Sequence, residues 1–260
     1  MRLLLLLLLL ALPTISCLPA WPDSCAKSLE CTRSGACHEQ ADKCIATSDA
    51  DCQHSTECSA SGSCHAVNGL CSPVRDQECA NSTNCAGDGA CVLSSIELNG
   101  QRVSLCGAGT KDHCRQSTSC TSAGRCSLDI DTNGYGRCIV GSDAECRAST
   151  GCAALGQCGL SPVSRQCGVV SDSDCQASTV CRSKGECWNG GTKCVPNSDA
   201  DCMASEACAT EGSCSRGMCL FPADGETCPR CLPASDADCS KSQACIVEHR
   251  CHATGLGCQK

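Results

Sequence analysis

Between Cys25 and Cys258 one pattern of cysteines is laid end to end eight times. Its clearest copy runs Ser48-Asp-Ala-Asp-Cys52, five residues, Cys58, three residues, Gly62, one residue, Cys64, six residues, Cys71. Units begin at Cys25, Cys52, Cys79, Cys114, Cys146, Cys175, Cys202 and Cys239. Five residues always separate the first, second and third cysteines, and seven always separate a fourth cysteine from the next unit. Only the third-to-fourth interval varies: six residues in four units, and eight, eleven, fourteen and sixteen in the others. The fixed intervals therefore read as scaffold and the variable one as a loop tip that tolerates insertion.

Such a chain has little else to fold around. It carries 35 cysteines in 260 residues, while Trp21, Trp188, Tyr135 and Phe221 are all its aromatics. Nine of its 21 leucines fall in the first twelve residues, and the twelve others, spread over the remaining 248, are too sparse to build one large apolar core. Covalent cross-links within small units are the other way to offset chain entropy, and this cysteine content marks an exported disulfide scaffold. The expected fold is a set of small disulfide-rich tandem repeats, each a short α-helix plus a two-stranded β-hairpin held by two disulfides. Eight such units would form a quasi-linear array, on the order of 100–150 Å if each bead matches a helix length.

The structural cysteines, unit by unit, are Cys25, Cys31, Cys37 and Cys44; Cys52, Cys58, Cys64 and Cys71; Cys79, Cys85, Cys91 and Cys106; and Cys114, Cys120, Cys126 and Cys138. They continue as Cys146, Cys152, Cys158 and Cys167; Cys175, Cys181, Cys187 and Cys194; Cys202, Cys208, Cys214 and Cys231; and Cys239, Cys245, Cys251 and Cys258. Four cysteines allow three pairings, and spacing alone does not choose among them; the interleaved one, first to third and second to fourth, is the expectation carried forward. Cys219 and Cys228 remain inside the long interval of unit seven and would form an extra rung. The repeats span 17–47, 48–74, 75–109, 110–141, 142–170, 171–197, 198–234 and 235–260, after a signal peptide at 1–16.

That first segment is Met1-Arg2 followed by an apolar run from Leu3 to Leu12, too short for a membrane-spanning helix. A positive charge, an apolar run and then small residues at Thr14-Ile15-Ser16 have the form of an export signal. Cys17 stands outside the repeats. Either it leaves with the signal or stays as a stray thiol, or it becomes the acylated first residue of a lipoprotein.

Within a unit, Ser48, Ser142, Ser171, Ser198 and Ser235 each precede an acidic residue by three, a capping-box spacing. The Asp directly after each Ser suits the positive end of a helix. Seven units then carry Gly where a helix would stop, with His249 in its place in the last. A single helix of about 13 residues is expected between cap and stop. The serine midway (Ser28, Ser55, Ser82, Ser117, Ser149, Ser178, Ser205 and Ser242) would lie on the cysteine face. It reads as a small residue whose hydroxyl is satisfied by nearby backbone. Asn68-Gly69, Asn99-Gly100, Asn133-Gly134, Asn189-Gly190 and Asp224-Gly225 predict hairpin turns.

Signals for chemistry are sparse. Cys228-Pro-Arg-Cys231 has C-x-x-C spacing, but the repeat register accounts for both residues. Asp129-Ile-Asp131-Thr-Asn133-Gly134 imitates half a calcium loop, without the Glu where Val140 stands. Asn81-Ser82-Thr83 is a glycosylation pattern on an expected helix. The six histidines, His38, His54, His65, His113, His249 and His252, are read as scattered surface groups. No catalytic, cofactor or metal residues are assigned, and the chain is expected not to be an enzyme. A formal charge of −8 disfavours nucleic acid and anionic membranes as partners. The expected partner is an extracellular protein or glycan, with membrane contact only through an acylated Cys17.

The unit S-D-A-D-C-x5-C-x3-G-x-C-x6-C resembles the cysteine-rich repeats of secreted and lipoprotein-type bacterial proteins, over about 235 of the 260 residues. Its D-x-D-C also resembles whey-acidic-protein and Dickkopf-type modules, whose later cysteines are spaced differently. The bacterial resemblance implies location and architecture. It leaves two functional expectations: a spacer or adhesive surface acting through the enlarged hairpins 92–105, 127–137, 159–166 and 215–230, or a protease inhibitor presenting Arg102, Arg137 or Arg165.

Overall fold

A computed structural model describes residues 25–98, 100–220 and 227–260. The signal segment, Cys17 and the turn Asp224-Gly225 lie outside the described residues, as does Asn99. Each unit places a helical half before a two-stranded antiparallel hairpin, and eight separate hairpins are present among the described residues. Unit two is representative: helices Asp49–Gln53 and Thr56–Ser61, then strands His65–Val67 and Leu70–Ser72.

The helical half is not one continuous helix. Ser55 between the two short helices is extended, with φ −80° and ψ 153°. Its hydroxyl donates to the Cys52 carbonyl at 2.7 Å and accepts the Cys58 N–H at 3.2 Å. The same pair of bonds recurs at the midway serine of every unit. The serine is thus the N-cap of a second helix. Its side chain satisfies a donor that a helix start leaves open, and the backbone breaks there. Seven of these eight serines are buried, Ser178 and Ser242 completely.

The disulfide pairing differs from the interleaved expectation: it is nested. First joins fourth, as in Cys52–Cys71, and second joins third, as in Cys58–Cys64. All eight units agree. The reason lies in the left-handed residue two before each third cysteine, glycine in seven units and His249 in the eighth. At φ near +74° Gly62 turns the chain back at the helix end, so Cys64 returns to Cys58 with Cα atoms 4.5 Å apart. The first cysteine, buried at the inner face of the first helix, is left to meet the second strand. Cys52, Cys79, Cys114, Cys146, Cys175, Cys202 and Cys239 are all 0% exposed. Sulfur occupies the place of an apolar core.

Turn chemistry holds in part. Asn68 and Gly69 both take positive φ, at 52° and 83°, the geometry of a tight hairpin turn. Unit one makes its turn with Ala41 and Asp42 at φ 50° and 61°, which no Asn-Gly signal announces. Asn189-Gly190 is not a turn centre: Asn189 is in a strand, and Gly191 takes the positive φ of 94°.

Successive units join through their second helices and through the seven-residue spacers. In units one to seven the position two after the fourth cysteine is small or apolar, and buried: Ala46, Pro73, Ala108, Val140, Val169, Pro196 and Pro233. The helix-stop glycine also has a second role here. A methyl group on Gly156 would stand 2.7 Å from Cys194 Sγ and 3.1 Å from Cys175 Cα, the disulfide of the following unit. Each unit therefore seats its neighbour's covalent bridge against its own helix end, at a distance only glycine permits. In unit eight His249 takes the same left-handed conformation, at φ 59°.

Candidate functional site

The hydrogen-bonded joints are built from carboxylates. In six units the Asp that opens the first helix accepts the backbone N–H of the residue 17 positions on, in the hairpin's first strand. Asp49 takes Ala66 at 2.9 Å, Asp172 takes Asn189 at 2.8 Å and Asp199 takes Arg216 at 2.6 Å. Asp76, Asp143 and Asp236 do the same. This residue ties helix to hairpin, a role beyond the helix-dipole effect that its position suggests. Unit four has Lys111 there.

In six units an acid stands one residue before the first cysteine, and it can face two ways. Asp51, Asp201 and Asp238 each accept two backbone N–H groups at their own helix start, which bears out the capping box at Ser48, Ser198 and Ser235; at Ser142 and Ser171 the serine side chain alone caps the helix start. Several also receive a side chain from the preceding unit, always from the residue directly after its third cysteine. His38 reaches Asp51 at 3.3 Å, His65 reaches Glu78 at 2.7 Å, Ser127 donates to Glu145 at 2.7 Å and Ser215 to Asp238 at 3.3 Å. Three of the six histidines (His38, His65 and His252) thus share one repeat position. This corrects their description as scattered.

His65 is the fullest of these latches. Its Nδ1 lies 2.8 Å from Asp49 of its own unit and its Nε2 2.7 Å from Glu78 of the next. The Asp49 bond above all, and the Glu78 bond after it, raise the His65 pKa despite partial burial. Asp49 is held low, first by the Ala66 N–H and then by His65. Burial pushes Glu78 upward, but the Val74 N–H, His65 and the Arg75 N–H together hold it below its ordinary value. At the far end, the Ala253 N–H and then His252 lower Asp236.

The hairpins divide into two sorts. Units three and seven have strands of seven and six residues, Val92–Leu98 with Gln101–Gly107 and Ser215–Leu220 with Thr227–Leu232. The other hairpins are two to four residues deep on each strand. The register sets Cys219 opposite Cys228; their side chains lie outside the described residues. Cys231 is bridged to Cys202, so the C-x-x-C spacing does not mark a redox pair. Arg102 is exposed and faces Glu97 across the unit-three hairpin. Arg137 gives both Nε and Nη2 to Asp129, at 3.0 and 2.9 Å. Arg165 is exposed on the unit-five tip with φ 53°. The calcium-like run spends its carboxylates within its own hairpin: Asp131 accepts the N–H groups of Asn133 and Tyr135, each at 2.9 Å.

Grooves run between neighbouring tips. One of about 340 Å³ between units four and five is lined by Arg125, Asp129, Arg137, Ser164 and Arg165 among others. Another, of about 370 Å³ between units two and three, is lined by Val67, Leu70, Arg102 and Val103. A third, of about 450 Å³, spans units six to eight and holds Lys184, Glu186, Arg230 and Leu256. Burial raises the Glu186 pKa, against Lys184, Arg230 and Lys193. Among the described residues, no group of three or more His, Cys, Asp or Glu side chains is placed to hold a metal ion. None of their helices is long and apolar enough to cross a membrane.

Fold and joints together define a tandem array of small disulfide-bonded repeats. The chain matches no protein-family model, and no curated protein or solved structure is significantly similar to it.

Proposed function

We propose that the chain is an exported, non-enzymatic repeat protein, serving as a rigid extracellular spacer whose enlarged hairpins form an adhesive or binding surface. One contrast carries this reading. The joints repeat the same contacts from unit to unit, whereas the hairpins of units three, four, five and seven differ in depth and composition. A scaffold held constant beneath variable tips is the arrangement of binding repeats. Nested disulfides in every unit favour an oxidising compartment, which fits the export signal read at 1–16. The test is to shorten those four intervals to the six residues of the other units. The shortened array should keep its disulfide map and resistance to proteolysis while losing adhesion to its partner surface. Full adhesion by the shortened array would remove the hairpins from the function.

Protease inhibition through a stapled basic tip is the second reading, favoured by the exposed Arg165. Arg137 supports it less, because Asp129 already holds its guanidinium. A panel of trypsin-like and subtilisin-like proteases decides it: no inhibition by the folded protein retires the idea. We also propose attachment through an acylated Cys17, which the mass of the N-terminal peptide of the exported protein tests directly.

A further inference from the structure

Resting on the hairpin reading, we propose that the groove between the tips of units four and five binds a doubly charged oxyanion carried on a sugar, either a phosphate monoester or a pair of sulfate esters. Three arginines, Arg125, Arg137 and Arg165, line it together with one acidic residue, Asp129. Asp129 takes both of its bonds from Arg137. Neither Arg125 nor Arg165 has an ion pair or side-chain hydrogen bond among the described residues. Two positive charges are left over, on a chain whose formal charge is −8.

Arg125 sits on the single residue between the helix-stop Gly124 and Cys126 and is half-buried, so part of its hydration is already lost. A guanidinium removed from water without a counter-ion is costly, and a bound anion would relieve that cost. Its planar fork suits tetrahedral oxyanions, which it grips through paired N–H donors. Two unpaired guanidiniums call for two negative charges, hence the dianion. Ser164 and Gln166 line the same wall and supply uncharged hydrogen-bonding groups of the kind that recognise sugar hydroxyls. At about 340 Å³ the groove is at the small end of ligand sites, room for a terminal sugar rather than a long chain.

The experiment is a calorimetric titration of the full chain at low salt with two probes, mannose 6-phosphate and a disulfated disaccharide, and with the unsubstituted sugars as blanks. At least one charged probe should bind and its blank should not. Arg125→Gln or Arg165→Gln should each weaken binding at least tenfold, Arg102→Gln should leave it unchanged, and Asp129→Asn should tighten it several-fold. Which probe binds decides between phosphate and sulfate. No binding of either probe at 10 mM, or binding unaffected by the two Arg→Gln changes, overturns the proposal. These variants keep every hairpin at full length and both side chains lack folded-state partners, so the disulfide map should be unaltered. If shortening the hairpins abolishes adhesion while neither probe binds, the groove assignment fails and the hairpin reading stands.

Discussion

Replacing Gly156 by Ala tests the joint between units at the point where its geometry is tightest. The substitution imposes two separate penalties. At φ +73° the residue is left-handed, which costs a non-glycine residue about 1–2 kcal/mol. Its new methyl would also stand 2.7 Å from Cys194 Sγ and 3.1 Å from Cys175 Cα. Neither atom can swing aside, because Cys194 is bonded to Cys175 and both are buried. Overpacking of this kind costs about 1–3 kcal/mol more. Gly134 supplies the control: its φ is +79° and a methyl there meets nothing within 4 Å. Gly134→Ala should therefore lose about 1–2 kcal/mol, and Gly156→Ala about 2–5 kcal/mol. Hydrogen exchange read by mass spectrometry on the non-reduced protein resolves the loss by position, which suits an array whose units need not unfold together. For Gly156→Ala, protection should fall on both sides of the joint, in 150–155 and 172–177. Equal losses for the two variants would show that the glycine is there only to end a helix, and that units do not lean on one another's bridges.

The His65 latch predicts a pH dependence of the joint between units two and three. Folding raises the His65 pKa, so its contribution is complete below the ordinary value of 6.5 and is lost as pH rises through the raised value. Glu78 and Asp49 are held low; their contributions are present above 4.5 and 3.8 and disappear as pH falls through the lowered values. Exchange protection at 74–79 should peak between those limits, and His65→Gln should flatten its alkaline side; an unchanged profile would refute the latch. The two kinds of bridge should differ as well. Replacing Cys146 and Cys167 by Ser opens a loop with a separation of 21 residues, for about 3 kcal/mol, against about 2 kcal/mol for the six-residue loop of Cys152 and Cys158. Chemical denaturation of the two double variants compares them, and the reverse order would contradict the loop argument. Finally, Lys111→Asp should supply unit four with the helix-to-strand bond it lacks, raising stability by about 0.5–1.5 kcal/mol, whereas Asp172→Ala should lose a similar amount. A fall in the melting temperature of Lys111→Asp would count against that bond.

Much of the architecture was legible because cysteine spacing is a covalent ruler. Unit boundaries, the helix caps at Ser48 and its counterparts, the helix-ending glycines and the hairpin at Asn68-Gly69 all follow from local chemistry. Contacts between non-adjacent residues were less legible. Ser55 has the same composition signal whether it packs inside a helix or caps a new one; only the path of the backbone distinguishes them. The interleaved pairing fails because Gly62 reverses the chain, and spacing does not report a reversal. The bond from Asp49 to the strand at Ala66 depends on how helix and hairpin fold together. Two signals were nevertheless present in the repeats: the small or apolar residue two after the fourth cysteine of units one to seven, and the histidines aligned after the third cysteines of units one, two and eight. For the candidate site, the basic residues of the tips could be named from the chain. That Arg137 is already engaged, and that Arg125 joins Arg165 in one groove, required the two tips to be placed side by side.

Nesting one bridge inside the other has a consequence for how such a chain is made. Among the described residues, each bridged cysteine finds its partner within at most 29 residues downstream or upstream, with no need to wait for a distant segment. A nascent polypeptide emerging from its N-terminus can seal one bead before the following bead is present. Adding or losing a bead then changes the reach of the finished molecule without reshuffling any thiol elsewhere.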